Sequence, residues 1–328
     1  MKAVQFSRFG APEVLETIEL AMPVPAPHEA LVRVRAAGVN FFEALMRSGR
    51  YGHPELPLRP GVEVVGVVEQ VGAQVETQTA RSLLGKRVVV PLFALGRAGA
   101  YTEYVTADAA SVLLVPDRIS DLAASALLVQ GLSALLLARH VPVKGKSVAL
   151  NAAAGGVGSL LLQLLRRAGA RQVIALTGTD DKRDIALSLG ADFAFNDKQP
   201  DWPAELCSVS GGGVDVVFDA VGGAAGGIML QTLAPQGTMV FSALNRYALT
   251  TAQMESIFGN NQSVRGFALL PLLDAATLKA GMAELFSLAA SGELRILPGQ
   301  SYPLEQAAAA HHALESGLSS GKIVLTVE

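Results

Sequence analysis

The sequence is poor in the residues that hold metals or form disulfides. Its 328 residues include one cysteine, Cys207, and five histidines. A single cysteine excludes a disulfide within the chain and a zinc site built from several thiolates. No two histidines have a metal-binding spacing such as H-x-x-x-H. The adjacent His311 and His312 would point to different faces of a helix, which indicates solvated or capping roles. The sequence therefore predicts no metal site.

The sequence also lacks a strong net charge and a long apolar run. The net charge is −3, charged residues make up 17% and hydrophobic residues 50%, which is typical of a soluble globular protein without a basic bias toward nucleic acid. Residues 122–138 contain Gln130 and two serines, so they are predicted to form a buried helix that falls short of a membrane span. Because the N-terminus lacks the apolar core of a signal peptide, we expect a cytoplasmic protein without a membrane or nucleic-acid partner.

A glycine-rich turn joins an apolar run to a helical run within residues 148–160. Counted as G-x-G-x-x-G, the turn has Ala153 at the first site, Gly155 at the second and Gly158 at the third. Gly155 has no Cβ, so a pyrophosphate can approach its backbone, and Gly158 lets the helix lie close to the strand. The helix N-terminus offers free N–H groups and a partial positive charge. The predicted cofactor-binding residues here are Ala154, Gly155, Gly156, Val157 and Gly158.

The segments around this turn decide its interpretation, since similar turns occur in α/β proteins that bind nothing. Strands and helices alternate from residue 148 to residue 242. The predicted strands cover residues 148–150, 172–176, 193–195, 214–219 and 238–242. This alternation predicts a doubly wound parallel sheet, the Rossmann architecture.

The two ends of the chain have a different rhythm. Residues 1–120 contain short valine-rich strands separated by proline, glycine and histidine turns, with one helix over residues 41–47. The tail is longer than one more strand and helix require, and it ends on a predicted strand. We therefore expect a discontinuous, mostly β domain over residues 1–120 and 265–328 and a nucleotide-binding domain over residues 121–264.

Several stretches resemble a known family, in order and over essentially the whole chain. They are the sequences AAGVN at residues 36–40, RSGRY at 47–51, PGVEVVGVV at 60–68, the glycine turn, DAVGG at 219–223 and GKIVL at 321–325. They resemble the zinc-lacking, zeta-crystallin-like quinone oxidoreductase branch of the medium-chain dehydrogenase/reductase superfamily. The resemblance implies a GroES-like catalytic domain, a Rossmann domain, NADPH as cofactor, a homodimer, and reduction of quinones or other activated enones.

The resemblance also bears on the metal. In zinc-dependent alcohol dehydrogenases of the same superfamily, two cysteines and a histidine hold the catalytic metal, and the corresponding positions here are Asn40, Val62 and Gln130. Without a Lewis acid an ordinary ketone is hard to activate, because the developing alkoxide needs strong stabilisation. An electron-poor quinone or enone needs less help. The resemblance thus implies hydride transfer without a metal.

Two residues are candidates for contact with the substrate. Tyr51 carries a phenol that can donate a hydrogen bond or a proton to a carbonyl oxygen, although it could equally pack against the loop near His53. Asn40 can donate and accept, which suits a ribose hydroxyl or a substrate carbonyl, and it is also a good helix N-cap. Gln130 offers a comparable amide as a cofactor contact. Glu63, embedded in valines, is expected to be a structural carboxylate bonded to backbone or to an arginine.

The end of the second Rossmann strand bears on the choice between NADPH and NADH. No acidic residue closes this strand, and Thr179 and Lys182 resemble the family's contacts to the 2′-phosphate. The alternative is a solvated first helical turn with Asp180 as N-cap. Two departures from the family count against tight binding of NADPH, namely Asp197 in place of a tyrosine and Gly317 in place of an arginine.

The resemblance places further cofactor contacts near the nicotinamide at Phe241, Ser242 and Phe267, and another at Lys322. The alternative of ordinary strand ends remains for the first three, although ligands bind at the carboxyl edge of a wound sheet. Two other functions stay open: an enoyl-thioester reductase acting on CoA or carrier-protein substrates, and a protein that binds NADPH without catalysis.

Overall fold

The computed structural model describes residues 1–243 and 248–327. In chain order its strands are β1 (Lys2–Gln5), β2 (Glu16–Glu19), β3 (Glu29–Val39), β4 (Val64–Val71), β5 (Arg87–Val90), β6 (Tyr104–Asp108), β7 (Leu113–Leu114), β8 (Ser147–Leu150), β9 (Gln172–Thr177), β10 (Phe193–Asn196), β11 (Val214–Asp219), β12 (Leu233–Phe241), β13 (Ser263–Gly266), β14 (Gln300–Pro303) and β15 (Ile323–Thr326).

The α-helices are α1 (Phe41–Arg47), α2 (Thr77–Leu83), α3 (Asp121–Ala126), α4 (Leu132–His140), α5 (Gly156–Arg167), α6 (Asp180–Ser188), α7 (Trp202–Ser210), α8 (Gly223–Gln231), α9 (Thr251–Gly259), α10 (Ala275–Ser291) and α11 (Ala307–Glu315). Short 3-10 turns cover Pro12–Val14, Leu92–Leu95, Ala109–Ser111, Leu270–Leu272 and Leu304–Gln306, and a π-helical turn, Leu127–Gly131, separates α3 from α4.

The chain divides into two compact units. The first comprises Met1–Leu132 and Leu273–Glu328, and the second comprises Ser133–Leu272. Both junctions lie later than the expected positions at residues 120 and 264. The first is later because α3 packs against β3 and β4 of the first unit. The second is later because β13 pairs with β12 and so continues the sheet of the second unit.

The second unit is built on a parallel sheet. Within the described residues its strand order is β10-β9-β8-β11-β12-β13, and each described pairing is parallel. The chain moves from β8 outward to β9 and β10, and then returns to the other side of β8 at β11. This reversal is the switch point at which wound sheets bind ligands, beyond the carboxyl ends of the strands. The predicted doubly wound parallel sheet is confirmed.

The long strand β3 organises the sheet of the first unit. It pairs antiparallel with β4, β6 and β15, and the described order along the sheet is β14-β15-β3-β4-β5-β7. Valines on β3 and β4 fill the core beneath it, including Val32, Val34, Val64 and Val68. Because β15 pairs with the end of β3, the C-terminal tail is part of the same sheet.

The segment from α3 to α4 differs in one respect from the sequence-based expectation. Asp121–His140 is long and apolar enough to cross a membrane by length and composition alone, whereas the sequence predicted that it would fall short. In the structure 61% of its apolar window is buried inside the protein, as expected of a core helix. The π-helical turn interrupts it, with Leu128 at φ −67° and ψ −107°.

One helix was not predicted. The short helix α2 follows a run of polar residues, and Leu83 is its one buried residue. A helix with a single buried side chain leaves no apolar stripe in the sequence, so its period could not be recognised.

Candidate functional site

The glycine turn lies where β8 passes into α5. Gly155 is the N-cap, with φ −76° and ψ 179°, and the first intrahelical bond runs from Ser159 N–H to its carbonyl (3.0 Å). The N–H groups of residues 156–158 therefore have no acceptor within the helix and face the space before it. Ala154, the remaining predicted residue of the turn, is buried.

The two glycines have different reasons to lack a side chain. A Cβ on Gly158 would collide with the carbonyl oxygen of Ala152, so this glycine is needed for the turn to form at all. A Cβ on Gly155 would lie 3.1 Å from the same oxygen, which is tight but close to tolerable. Ala152 has φ +50°, a left-handed conformation that is unfavourable for alanine. The turn thus stores backbone strain at Ala152, and its close backbone packing against Gly155 and Gly158 is the geometry that a pyrophosphate-binding turn requires.

A buried amide and carboxylate brace the carboxyl edge of the sheet beside this turn. Asp219, the last residue of β11, accepts hydrogen bonds at Oδ1 from Asn151 Nδ2 (2.5 Å) and from the N–H groups of Val221 and Gly222 (2.9 Å each). Asn151 Oδ1 accepts from Ala220 N–H (2.8 Å). The brace ties the end of β8 to the loop after β11. Asp219 begins one of the stretches that resemble the family, but no role was predicted for it or for Asn151, although an acid that ends a parallel strand was a usable signal.

The predicted residues at the ends of β12 and β13 are close together. Phe267 N–H donates to Phe241 O (2.9 Å), and Ser242 N–H donates to the last carbonyl of β11 (2.8 Å). His140, at the end of α4, lies 3.1 Å through Nε2 from Gly266 O, and its ring makes an edge contact with Phe267 at 5.4 Å. These bonds hold three adjacent strand ends in one arrangement. The role of His140 was not foreseen from the sequence.

The end of β9 carries the residues predicted to meet a 2′-phosphate. Thr179 is the N-cap of α6 and accepts from Lys182 N–H (3.4 Å), which corrects the alternative that placed Asp180 at the cap. Thr179 has the extended backbone of a cap residue, whereas Asp180 is already helical. Burial lowers the pKa of Lys182, and the negative charge of Asp197 acts in the opposite direction. Lys182 is thus a cation next to a carboxylate at the position where a phosphate is expected.

A buried polar cluster in the first unit includes two of the predicted residues. Lys322 Nζ donates to Glu63 Oε1 and to Asn40 Oδ1, at 2.5 and 2.8 Å, and Asn40 Nδ2 donates to Glu63 Oε1 at 3.0 Å. Val129 N–H donates to Glu63 Oε2 at 2.8 Å. Asn40 is 3% exposed, and Glu63 and Lys322 are fully buried. Glu63 is bonded to backbone, as expected for a structural carboxylate, but its cationic partner is a lysine and not an arginine.

Gln130 follows Val129 in the π-helical turn. Its Oε1 is buried and has no hydrogen-bond partner among residues 1–243 and 248–327. A buried amide oxygen without a partner is costly, and such an atom in a native fold requires an explanation such as a ligand or a water. Single π-turns within helices occur frequently at functional sites. The predicted role of Gln130 as a cofactor contact stays a prediction that this unpaired oxygen supports.

A second buried chain of polar groups begins at the N-cap of α1. Glu43 Oε2 accepts from Asn40 N–H (2.8 Å) and from the Tyr101 hydroxyl (3.0 Å), and that hydroxyl lies 3.0 Å from His311 Nε2. The sequence predicted a solvated or capping role for His311, and this is wrong, because its face of α11 packs against Tyr101 and leaves it fully buried. Its neighbour His312 is exposed and pairs with Glu13.

Burial dominates the acid–base properties of this second chain. It raises the pKa of Glu43 to about 7, against the opposing effects of the Asn40 N–H and of Lys322. Burial also lowers the pKa of His311 to about 3, with Arg47 acting in the same direction. Around neutral pH Glu43 is therefore partly protonated and His311 is neutral.

Tyr51 stands apart from these clusters. It is partly exposed in the loop that follows α1, and its hydroxyl has no hydrogen-bond partner among the described residues. A phenol that is partly exposed and has no hydrogen bond within the described residues can donate to a ligand. Its catalytic role stays a prediction.

The residues Asn40, Val62 and Gln130 stand where the resemblance places the zinc ligands of zinc-dependent alcohol dehydrogenases. Across the described residues, no group of three or more histidine, cysteine, aspartate or glutamate side chains is arranged to hold a metal ion. An amide, an aliphatic side chain and a second amide are poor ligands for zinc, which prefers thiolate, imidazole and carboxylate. Metal-independent activity stays a prediction that this donor set supports.

A wound parallel sheet with a glycine turn at its switch point defines the class of dinucleotide-binding oxidoreductases. Comparison with known proteins gives the family. Residues 26–117 match the alcohol dehydrogenase GroES-like domain, and residues 189–325 match the family described as zinc-binding dehydrogenase. The chain is 35% identical to the quinone oxidoreductase of Salmonella typhimurium, with 98% of each chain covered.

Solved structures agree with this relationship. The chain is similar to the Escherichia coli quinone oxidoreductase complexed with NADPH, with a TM-score of 0.89, 32% identity and 100% of both chains covered. It is also similar to the quinone oxidoreductase of Thermus thermophilus, with a TM-score of 0.83, 30% identity and 100% of both chains covered. The chain belongs to the quinone oxidoreductase branch of the medium-chain dehydrogenase/reductase superfamily. The predicted combination of Rossmann and GroES-like folds is confirmed.

The second buried chain is expected to give opposite pH dependences of stability. The folded protein keeps the Glu43 proton between about pH 4.5 and 7 while the unfolded chain loses it, so this contribution falls as the pH rises. The unfolded chain holds a His311 proton between about pH 3 and 6.5 that the folded protein lacks, so this contribution rises with pH. Where the two windows overlap, the contributions oppose each other.

Replacing one of the two groups should therefore reveal the pH dependence of stability that the other contributes. Relative to the wild type, Glu43→Gln should gain unfolding free energy with rising pH, by up to about 1.4 kcal/mol per pH unit, within the window between about 4.5 and 6.5. His311→Gln should lose it with the same slope. Urea unfolding at several pH values measures both slopes. Slopes of the same sign in the two variants would contradict the assignment.

Proposed function

We propose that the protein is an NADPH-dependent oxidoreductase that transfers hydride to quinones or other activated enones without a metal. The observation that carries the proposal is the donor set at Asn40, Val62 and Gln130, which offers amides where related dehydrogenases place zinc ligands. The family relationship and the cradle formed by Gly155 support the cofactor.

The residues of this chain fit the cofactor in two respects. The strained turn presents N–H groups that have no acceptor within the helix to a pyrophosphate, and Lys182 offers a cation at the end of β9 for a 2′-phosphate. When bound, NADPH supplies the hydride. The strand ends at Phe241, Ser242 and Phe267, which backbone hydrogen bonds hold together, are proposed to lie against the nicotinamide.

Asn40 and Tyr51 are proposed as the contacts of the substrate. One amide N–H of Asn40 is bonded to Glu63 Oε1, and its second amide N–H is the donor proposed for the ligand. Tyr51 has a free hydroxyl that can donate to the acceptor oxygen. Reduction of a quinone places charge on an oxygen that the ring delocalises, so a hydrogen bond from either residue is sufficient to stabilise it and a strong general acid is not required.

The acceptor is tested by measuring NADPH oxidation with 1,4-benzoquinone, 9,10-phenanthrenequinone and crotonyl-CoA side by side. We expect at least one quinone to exceed crotonyl-CoA by tenfold or more in kcat/KM, about 1.4 kcal/mol in transition-state stabilisation. Faster reduction of crotonyl-CoA would identify an enoyl-thioester reductase. Binding of NADPH without turnover of any acceptor would indicate a non-enzymatic protein.

Cofactor preference is expected to depend on Lys182. Lys182→Ala should weaken NADPH binding by about 1.5–3 kcal/mol, the scale of a hydrogen bond to a charged group, and should leave NADH binding nearly unchanged because NADH lacks the 2′-phosphate. Lys198→Ala is the matched control, since Lys198 is exposed and pairs with the same Asp197. Fluorescence titration of both cofactors measures the effect. Equal losses for NADPH and NADH would remove Lys182 from the phosphate site.

The homodimer is proposed to form through the edge of the second unit at β13. Among the described strands β13 pairs on one side only, with β12, and the helix α9 that precedes it buries none of its residues. Phe258 is 87% exposed and Met254 is 52% exposed on α9. An unpaired strand edge beside exposed apolar side chains favours association of two copies.

Sedimentation should therefore give the mass of a dimer for the wild type. Phe258→Glu should shift the population to monomers, because it places a charge in the proposed interface. Leu318→Glu is the control, since Leu318 is 72% exposed but lies in the first unit. A monomeric wild type, or a dimer unaffected by Phe258→Glu, would contradict this interface.

A cytoplasmic location is also proposed, supported by the single cysteine of a chain that would use a reduced cofactor.

A further inference from the structure

The buried cluster around Glu63 joins four separate parts of the chain. Asn40 follows the end of β3, Glu63 immediately precedes β4, Lys322 immediately precedes β15, and Val129 lies in the π-helical turn. Both carboxylate oxygens of Glu63 are used, Oε1 by Asn40 and Lys322 and Oε2 by the Val129 N–H. The partners of this one carboxylate thus include two predicted contacts, Asn40 and Lys322, and Val129, which precedes the predicted contact Gln130. Lys322 is fully buried and bonded to Glu63 and Asn40, so a role through Asn40 replaces the direct cofactor contact that the sequence predicted for it.

We propose that Glu63 and Lys322 are positioning residues of the reductase, which together fix the orientation of the Asn40 amide and of the turn that carries Gln130. We call the two residues the Glu63–Lys322 clamp. The inference rests on the proposed function for the meaning of Asn40 and Gln130, and on the hydrogen bonds of the cluster for the mechanism.

The charges of the clamp determine which way the Asn40 amide faces. The Lys322 ammonium can only donate hydrogen bonds, so the Asn40 atom 2.8 Å from its Nζ must be the amide oxygen. The Glu63 carboxylate can only accept them, so the Asn40 atom 3.0 Å from its Oε1 must be the amide nitrogen. A flipped amide would set N–H against an ammonium and oxygen against a carboxylate. The clamp therefore directs the second N–H and the second lone pair of Asn40 in fixed directions.

The same carboxylate holds the π-helical turn. Its Oε2 accepts from Val129 N–H at 2.8 Å, directly before Gln130, whose own Oε1 has no partner among the described residues. Space for the carboxylate is provided by β3, because a Cβ on Gly38 would collide with Glu63 Oε1. Gly38 leaves space for the carboxylate, and the Val129 N–H binds it. Both features indicate that the fold holds the carboxylate in one position.

A purely structural role is the competing explanation. Buried ion pairs often add little net stability, and apolar residues of similar volume can replace them without loss, whereas removing one partner leaves a buried charge and destabilises the fold. The single variants Glu63→Gln and Lys322→Met would therefore report mainly on folding. The double variant Glu63→Gln/Lys322→Met removes both charges together and separates folding from positioning.

The first test compares the melting temperature, the NADPH dissociation constant and quinone kinetics of these variants. In the double variant we expect most of the melting temperature lost by the single variants to return. We also expect kcat/KM for the quinone to stay at least tenfold below the wild type while the NADPH dissociation constant stays close to that of the wild type, because Lys182 is unchanged. Full recovery of kcat/KM together with the melting temperature would overturn the proposal. A wild type that binds NADPH but reduces no quinone would instead overturn the proposed function.

The matched control is the pair formed by Arg47 and Glu315. Arg47 is 1% exposed, its Nη2 bonds both oxygens of Glu315 at 2.7 Å, and neither residue bonds Asn40 or Val129 in the described chain. Arg47→Met/Glu315→Gln should keep kcat/KM within about threefold of the wild type at comparable stability. A tenfold loss in this control would show that any buried pair in the unit has the same effect, and would overturn the specific role of the clamp.

A double-mutant cycle tests whether the clamp acts through Asn40. Asn40→Leu alone should lower kcat/KM, and adding Glu63→Gln/Lys322→Met should lower it by no more than about twofold further, since the amide to be positioned is already absent. Independent, multiplicative losses would show that the clamp does not act through Asn40. Retention of quinone activity in the single variant Lys322→Arg, which keeps the cation, is the result expected if a cation at this position orients the amide.

Discussion

A charged group that is buried on folding loses its hydration and needs hydrogen-bond or ionic partners within the protein. This requirement explains the polar clusters of both units. In the first unit Glu63 is fully buried, and its partners come from Asn40, Lys322 and the Val129 backbone. In the second unit Asp219 is 1% exposed and takes its hydrogen bonds from Asn151 and two backbone N–H groups. Each carboxylate thereby links chain segments that are far apart in the sequence and fixes their positions relative to one another.

The features that were predictable from the sequence are those written in neighbouring residues. The turn at Gly155 and Gly158 and the alternation of strands and helices depend on local spacing, and the structure has them where they were expected. The Glu63–Lys322 clamp depends on a contact between residues 259 positions apart, which no local pattern records. His311 shows the same limit, because its burial is determined by Tyr101, 210 positions away, and not by its exposed neighbour.

The region around Lys182 combines opposing electrostatic effects. Burial makes the ammonium less favourable and lowers its pKa, while the negative charge of Asp197 stabilises it. A 2′-phosphate bound at the proposed site would have to compete with that carboxylate for Lys182. At the proposed site, the preference for NADPH over NADH therefore depends on how far the attraction of Lys182 to the 2′-phosphate exceeds its attraction to Asp197. If Lys182 contacts the phosphate as proposed, the affinity for NADPH would be weaker than that of the same site without the carboxylate.

In the proposed site, the residues that stand where zinc-dependent relatives place metal ligands would limit which acceptors can be reduced. A ketone becomes an alkoxide on hydride transfer and needs a Lewis acid or a strong proton donor, whereas a quinone becomes an aromatic anion that one or two neutral hydrogen bonds can stabilise. Asn40 and Gln130 are neutral amides, and Glu63 and Lys322 cancel each other's charge. A site of this kind presents oriented dipoles and no net charge. Such a site stabilises delocalised anions at little cost, and this favours electron-poor acceptors over simple carbonyl compounds.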